Sequence, residues 1–219
     1  MSIRRYTHSV TKTAVYGKRV PYANSPESIA YMKAQDSIDA VLNPTRHPPI
    51  DLLPFLKYLP DSWAPWMAET KEVRRLHDTL HLKLMAECEE RLARGSEPNS
   101  FLEEVIQSKI LDGNTDRYGI SSMGLIVLEG GTDTSSAFLQ SFVLALVCHP
   151  ELQRKAQQEV DALISEDRLP TIEDYEKLPY VNALVKEVLR YRPILPLAVP
   201  HYMTQDEHVS QQFMILYVC

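Results

Sequence analysis

Residues 120–149 read ISSMGLIVLEGGTDTSSAFLQSFVLALVCH. Apolar residues dominate and no proline interrupts them, so the stretch predicts one long, mostly apolar helix. Its centre breaks the pattern. Gly130 and Gly131 stand side by side, and each costs a helix interior roughly 1 kcal/mol relative to alanine. The pair therefore predicts an interruption of the helix. Glycine also lets another group come close to the backbone. Asp133 and Thr134 place a carboxylate and a hydroxyl beside that gap, and burying them unpaired would be costly. This set suits a site that admits a small oxygen species and delivers protons to it. The competing reading is a core helix kinked by glycine, with Thr134 bonding back to a carbonyl. A phosphate loop is a poor fit, because no Gly-Lys-Ser/Thr follows and the glycines lie mid-helix.

Downstream, Pro150 opens another helix, with Leu152, Ala156, Val160 and Leu163 on one face. Thr171 and Asp174 resemble a cap. Val181, Leu184, Val185, Val188 and Leu189 form an apolar face that ends before Pro193. Glu187 and Arg190 lie three apart on that helix and can pair. The spacing alone is weak evidence, since Glu72 with Arg75 and Glu151 with Arg154 repeat it. Upstream, Val73, Leu76, Leu80, Leu84 and Cys88 mark a long helix over 67–94, closed by Gly95. Ser100 with Glu103 opens a further helix through about Leu111, and Asp112-Gly113-Asn114 is a turn. Residues 27–42 have helical spacing, and residues 1–20 read as helix or extended chain. Between them and residue 67, Pro44, Pro48, Pro49, Pro54, Pro60 and Pro65 predict loop and short turns. The chain is mainly α.

Bulk properties narrow the function. With 219 residues, 44% of them hydrophobic, a sizeable core is expected. A net charge of −6 argues against a nucleic-acid partner, and the basic pairs Arg4-Arg5 and Lys18-Arg19 are too short to reverse that. Cys88, Cys148 and Cys219 are too scattered for a disulfide framework, which favours a reducing compartment. The polar start has no apolar signal region. The apolar run 142–148 is far shorter than the ~20 residues a bilayer needs, so no membrane anchor is expected in this chain. Neither a Rossmann fingerprint nor a hydrolase G-x-S-x-G occurs. His77 and His81, four apart on the 67–94 helix, could hold zinc. Two ligands are too few and no third is indicated. They flank the Leu76/Leu80/Leu84 stripe, so they are predicted on an exposed face, with no metal site.

Three motifs now fall into one order. Gly130-Gly131-Thr132-Asp133-Thr134-Ser135 matches A/G-G-x-D/E-T-T/S at every fixed position. His149-Pro150 with Lys155 matches H-P-x-x-x-x-K. Glu187 and Arg190 sit in LPYVNALVKEVLRYRP, residues 178–193, as an E-x-x-R helix does. In this order and spacing the chain resembles the cytochrome P450 monooxygenases, fungal members in particular, over about residues 1–208. The resemblance implies a partial P450 fold, from its central helices through the E-x-x-R helix. It implies that Gly130, Gly131 and Thr134 lie on the distal, oxygen-binding side of a haem. Thr134 would steady the activated oxygen and Asp133 would help relay protons. Glu187 and Arg190 would be structural, in a buried charge network with a later arginine. The implied reaction inserts one oxygen atom of O2 into a small lipophilic substrate, such as a secondary metabolite. Electrons would come from NADPH through NADPH-cytochrome P450 reductase, at the cytosolic face of the endoplasmic reticulum membrane.

The family's haem ligand is a cysteine in F-x-x-G-x-x-x-C-x-G, whose thiolate anchors the iron. No cysteine here fits, and no glycine follows Gly131. Residues 209–219 do not continue the family pattern, which divides the chain into a P450-like part, 1–208, and a divergent tail, 209–219. Haem is therefore expected not to be stably bound by this chain. By itself the chain is expected to be catalytically incompetent, and cytoplasmic or unstable. The alternative is a non-catalytic helical remnant or interaction protein.

Overall fold

The computed structural model describes residues 2–43, 46–48, 50, 53–60, 63–111, 116–164, 168–196, 207–210 and 213–215. The predicted turn at Asp112-Gly113-Asn114 lies outside them, as do Cys219, Pro44 and Pro49. The described chain forms seven α-helices: α1 (Ser2–Tyr16), α2 (Pro26–Leu42), α3 (Pro65–Ala93), α4 (Phe101–Leu111), α5 (Arg117–Cys148), α6 (Pro150–Leu163) and α7 (Pro179–Tyr191). Two short 3-10 helices, Pro54–Tyr58 and Ile172–Lys177, lie between them. An antiparallel pair, β1 (Glu207–Ser210) and β2 (Phe213–Ile215), sets Glu207 opposite Ile215 and His208 opposite Met214. The mainly α reading holds.

The helix ends follow local chemistry. Ser25 caps α2 by accepting from the Ser28 amide at 3.3 Å, and Pro26 is its first residue. Gly95, at φ +84°, ends α3 in a conformation that favours glycine. The Gly95 amide donates to Leu92 O at 2.9 Å and the Ser96 amide to Arg91 O at 3.2 Å. Those two bonds close the helix and satisfy carbonyls that would otherwise be orphaned. At α4 the Glu103 carboxylate accepts from the Ser100 hydroxyl at 2.9 Å and the Asn99 amide at 3.1 Å.

Two compact units divide the chain, residues 1–140 and 141–219. In the first, Val15 and Tyr16 of α1, Tyr31 of α2, Leu84, Met85 and Cys88 of α3, Leu102 and Ile106 of α4, and Ile120 and Leu128 of α5 make one buried cluster. Each large apolar side chain buried there contributes about 1.5–3 kcal/mol. In the second unit α6 packs on α7, and Leu184 and Val188 of α7 are buried. Thr171 and Asp174 form the expected cap, which opens the 3-10 helix Ile172–Lys177. Glu159 of α6 accepts from the Tyr180 and Val181 amides, each at 2.8 Å, and so caps α7. None of the described helices is long and apolar enough to cross a membrane.

Two expectations are corrected. The helix is not interrupted at Gly130-Gly131: α5 runs unbroken for 32 residues. Hydrogen-bonded turns on both sides outweigh a propensity cost of roughly 1 kcal/mol per glycine. His77 and His81 are not on an exposed face: they are 5% and 2% exposed. That face of α3 meets α2 through Ala34, α1 through Tyr16 and α5 through Glu129.

Candidate functional site

The polar cluster on α5 splits by helical direction. Gly131 faces α1: a Cβ there would stand 2.8 Å from Thr11 Cγ2, so a larger residue would force Thr11 or the backbone to shift. Gly130 has the opposite surroundings, since a Cβ there would meet nothing within 4 Å. Of the two glycines, only Gly130 fronts open space. Thr132 is fully buried and donates to Leu128 O at 2.6 Å. Thr134 donates to Gly130 O at 2.5 Å, the back-bond foreseen in the competing reading. Its hydroxyl is thereby fixed beside the Gly130 surface with its lone pairs free to accept.

Asp133 points toward α1. Its Oδ1 accepts from Arg4 Nε at 3.0 Å, and Arg4 also reaches Asp36 Oδ1 at 2.8 Å. Asp133 Oδ2 is buried with no hydrogen-bond partner among the described residues. Burial raises the Asp133 pKa above the ordinary carboxylate value, and the nearby Arg4 opposes that shift. A half-buried carboxyl with one unpaired oxygen holds a proton more readily than a solvated one.

Glu187 and Arg190 belong to the second unit. They pair in a two-pronged geometry, Nε to Oε2 at 2.8 Å and a terminal nitrogen to Oε1 at 2.6 Å. The pair is exposed, with side chains 55% and 71% accessible. The buried network that the resemblance implies is not formed by these two residues here.

A second group of polar side chains surrounds Glu129, one residue before Gly130. His77 Nδ1 lies 2.8 Å and His81 Nε2 3.8 Å from Glu129 Oε1. The outer ring nitrogens are engaged elsewhere, His77 Nε2 with Ala34 O at 3.0 Å and His81 Nδ1 with the Tyr16 hydroxyl at 3.2 Å. The Glu129 carboxylate 2.8 Å away raises the His77 pKa, and burial pushes His81 down to about 3. Sequence reasoning found the two histidines and missed Glu129. The available signal was a lone carboxylate inside the apolar run 123–129.

Among the described cysteines, Cys88 lacks the features of a haem ligand. Cys88 is wholly buried in the core cluster, and burial pushes its thiol up to about 11. A haem ligand must be a thiolate with an open face toward the iron. Cys148 is exposed at the end of α5.

A long helix bearing an open glycine surface, a threonine fixed beside it and a half-buried carboxyl defines the class: a mainly α-helical protein with a polar cluster on its longest described helix. The family profile for cytochrome P450 matches residues 2–215. A cytochrome P450 monooxygenase of Armillaria gallica is 42% identical over 207 residues, covering 94% of this chain and 39% of that protein. One from Arthrobotrys oligospora is 35% identical over 213 residues, again 94% of this chain and 39% of the relative. Among solved structures, a zebra fish cytochrome P450 with progesterone superposes with a TM-score of 0.76 at 24% identity, covering 93% of this chain and 46% of that one. That likeness bears on fold alone. The chain belongs to the cytochrome P450 family and has part of its all-α fold. It spans about two fifths of the length of the curated relatives it matches.

Proposed function

We propose that this chain serves a P450-type monooxygenase reaction, the haem-dependent insertion of one oxygen atom of O2 into a small lipophilic substrate. Support comes from α5, where Gly130 fronts open space and the Thr134 hydroxyl is fixed one turn away. On this reading Thr134 accepts a hydrogen bond from a group lodged against Gly130, and Asp133 holds the proton that such a group takes up. Glu187 and Arg190 act structurally. NADPH-cytochrome P450 reductase supplies electrons, and an intact protein of this kind works at the cytosolic face of the endoplasmic reticulum membrane. Cys88 is sealed in the core and no cysteine sits in the family's F-x-x-G-x-x-x-C-x-G pattern, so these 219 residues are proposed not to hold haem stably alone.

Two measurements test this. The isolated chain, reduced and treated with carbon monoxide, is expected to show no thiolate-haem Soret band. A clear band would mean that one of its cysteines ligates iron after all. Residues 1–208 are then grafted into the Armillaria gallica relative in place of the matching segment. The chimera is expected to show that band and to consume O2 with NADPH and a reductase. Thr134→Ala in the chimera should lower product formed per O2 consumed by about tenfold or more. A haem-loaded chimera indifferent to that substitution would end the proposed role of Thr134.

A further inference from the structure

His77, His81 and Glu129 converge in a way that protein hydrogen bonding does not resolve. The inward atoms, His77 Nδ1, His81 Nε2 and Glu129 Oε1, all lie within 4.8 Å of one another. All three are buried, and none has a hydrogen-bond partner of proper geometry among the described residues. The histidines themselves are 5% and 2% exposed.

The outer contacts show why this matters. Ala34 O can only accept, so His77 Nε2, 3.0 Å away, must carry a proton. A neutral His77 then presents a bare lone pair at Nδ1, and the Glu129 oxygen 2.8 Å away is also an acceptor. Two lone pairs at that distance repel. His81 repeats the arrangement when Nδ1 donates to the Tyr16 hydroxyl at 3.2 Å, which leaves Nε2 bare and turned inward. Three acceptors facing one point need a positive centre between them. Each histidine also has the outer hydrogen bond that fixes tautomer and ring angle in metal-binding histidines.

We propose that His77, His81 and Glu129 form a binding site for a divalent metal ion of the zinc type, linking α3 to α5. The ligand chemistry selects the ion. Two imidazoles and one carboxylate suit zinc, with a fourth position left for water, whereas magnesium and calcium demand oxygen ligands. In a tetrahedral zinc site, ligand atoms about 2.0–2.1 Å from the ion stand about 3.3 Å from each other. The observed 2.8 and 3.8 Å bracket that value. Histidines four apart on a helix share a face, so α3 can present both without distortion. The site lies within the first unit and does not depend on the proposed oxygenation chemistry. Its place directly before Gly130 would tie the open surface of α5 to α3.

The rival account is an imidazolium at His77 paired with Glu129, which satisfies those two atoms without metal. Metal analysis separates the two. The full 219-residue chain, stripped with a chelator and dialysed against zinc, is expected to retain one zinc per chain. Glu129→Gln and His81→Ala should each lose it, while His149→Ala, at an exposed histidine, should retain it. Helix content by circular dichroism monitors folding of each variant. A second measurement needs no variant: cobalt(II) added to the stripped wild-type chain should give the strong visible absorption of a tetrahedral nitrogen–oxygen site, without thiolate charge transfer. A wild-type chain that retains no zinc and gives only the weak octahedral cobalt spectrum overturns the proposal in favour of the imidazolium pair. Thiolate charge transfer, or zinc kept by a folded Glu129→Gln chain, overturns it by moving the metal elsewhere.

Discussion

Arg4, in the first helix, donates through Nε to Asp133 Oδ1 at 3.0 Å, joining residues 129 positions apart beside the candidate reactive surface. Both side chains are about a third exposed. Burial raises the Asp133 pKa and Arg4 opposes it. For a carboxyl raised in the folded state, stability is fully present below the ordinary value and is lost as pH rises through the folded value. Arg4→Met should raise the folded value further, so that this loss grows. The variant is expected to match the wild type most closely in acid and to be about 1–2 kcal/mol less stable at neutral pH, allowing for partial exposure. Urea titrations at pH 3 and pH 7 read the difference. In an Asp133→Asn background the pH dependence of the Arg4→Met effect should shrink to the part carried by the exposed Arg4–Asp36 pair, and a pH dependence of undiminished size would sink the assignment.

The neighbouring glycines should respond in opposite directions. Gly130→Ala gains helix propensity and meets nothing, so it should stabilise the protein by about 0.5–1 kcal/mol. Gly131→Ala drives a methyl to 2.8 Å from Thr11 Cγ2, and should destabilise by about 1–3 kcal/mol despite the same propensity gain. Thr11→Ala removes the clashing atoms and leaves Cβ at 3.6 Å, an ordinary contact. It should therefore rescue Gly131→Ala. Thermal melts of the single and double variants decide it, and equal effects at the two glycines would refute the difference in their surroundings.

That contrast shows what sequence can and cannot carry. Helix positions were legible because apolar spacing and end signals are local: Gly95 closes α3 and Thr171 with Asp174 caps the following turn as read. The expected interruption at Gly130-Gly131 failed because propensity is a weak term. The α1 residue that Gly131 faces, Thr11, lies more than a hundred residues away in sequence. The same limit hid Glu129. Its partners lie on α3, and the apolar stripe of that helix gives no sign that a second polar face is buried. Asp133 and Thr134 were legible as a motif, but that Arg4 holds Asp133 is long-range information.

Glu27 bridges two lysines, Lys12 at 2.9 Å and Lys18 at 2.6 Å, and the Lys12 side chain is only 3% exposed. The two ammonium groups hold the Glu27 carboxyl down at about 2. A depressed carboxyl contributes stability above its ordinary pKa of 4.5, and that stability is lost as pH falls through about 2. Glu27→Gln should flatten the stability profile between those values. At neutral pH it should cost about 1–2 kcal/mol, because Glu27 is 38% exposed and solvent screens the rest. Denaturation midpoints measured from pH 2 to pH 7 test this. A variant whose acid slope equals that of the wild type would contradict it.

Glu159 predicts an effect confined to the second unit. Pro179 opens α7 without an amide to donate, so the next two amides, Tyr180 and Val181, carry the exposed positive end of the helix. Both donate to the Glu159 carboxylate at 2.8 Å, which satisfies them and sets a negative charge where the helix dipole favours it. Glu159→Ala removes both acceptors and should cost about 1–2 kcal/mol. Glu159→Gln keeps one acceptor and loses the charge, so it should fall between. Hydrogen exchange gives the sharper readout. The Tyr180 and Val181 amides should exchange faster in Glu159→Ala, while those of α1 through α4 keep wild-type rates. Uniform acceleration across both units would mean that Glu159 acts on global stability instead of on the start of α7.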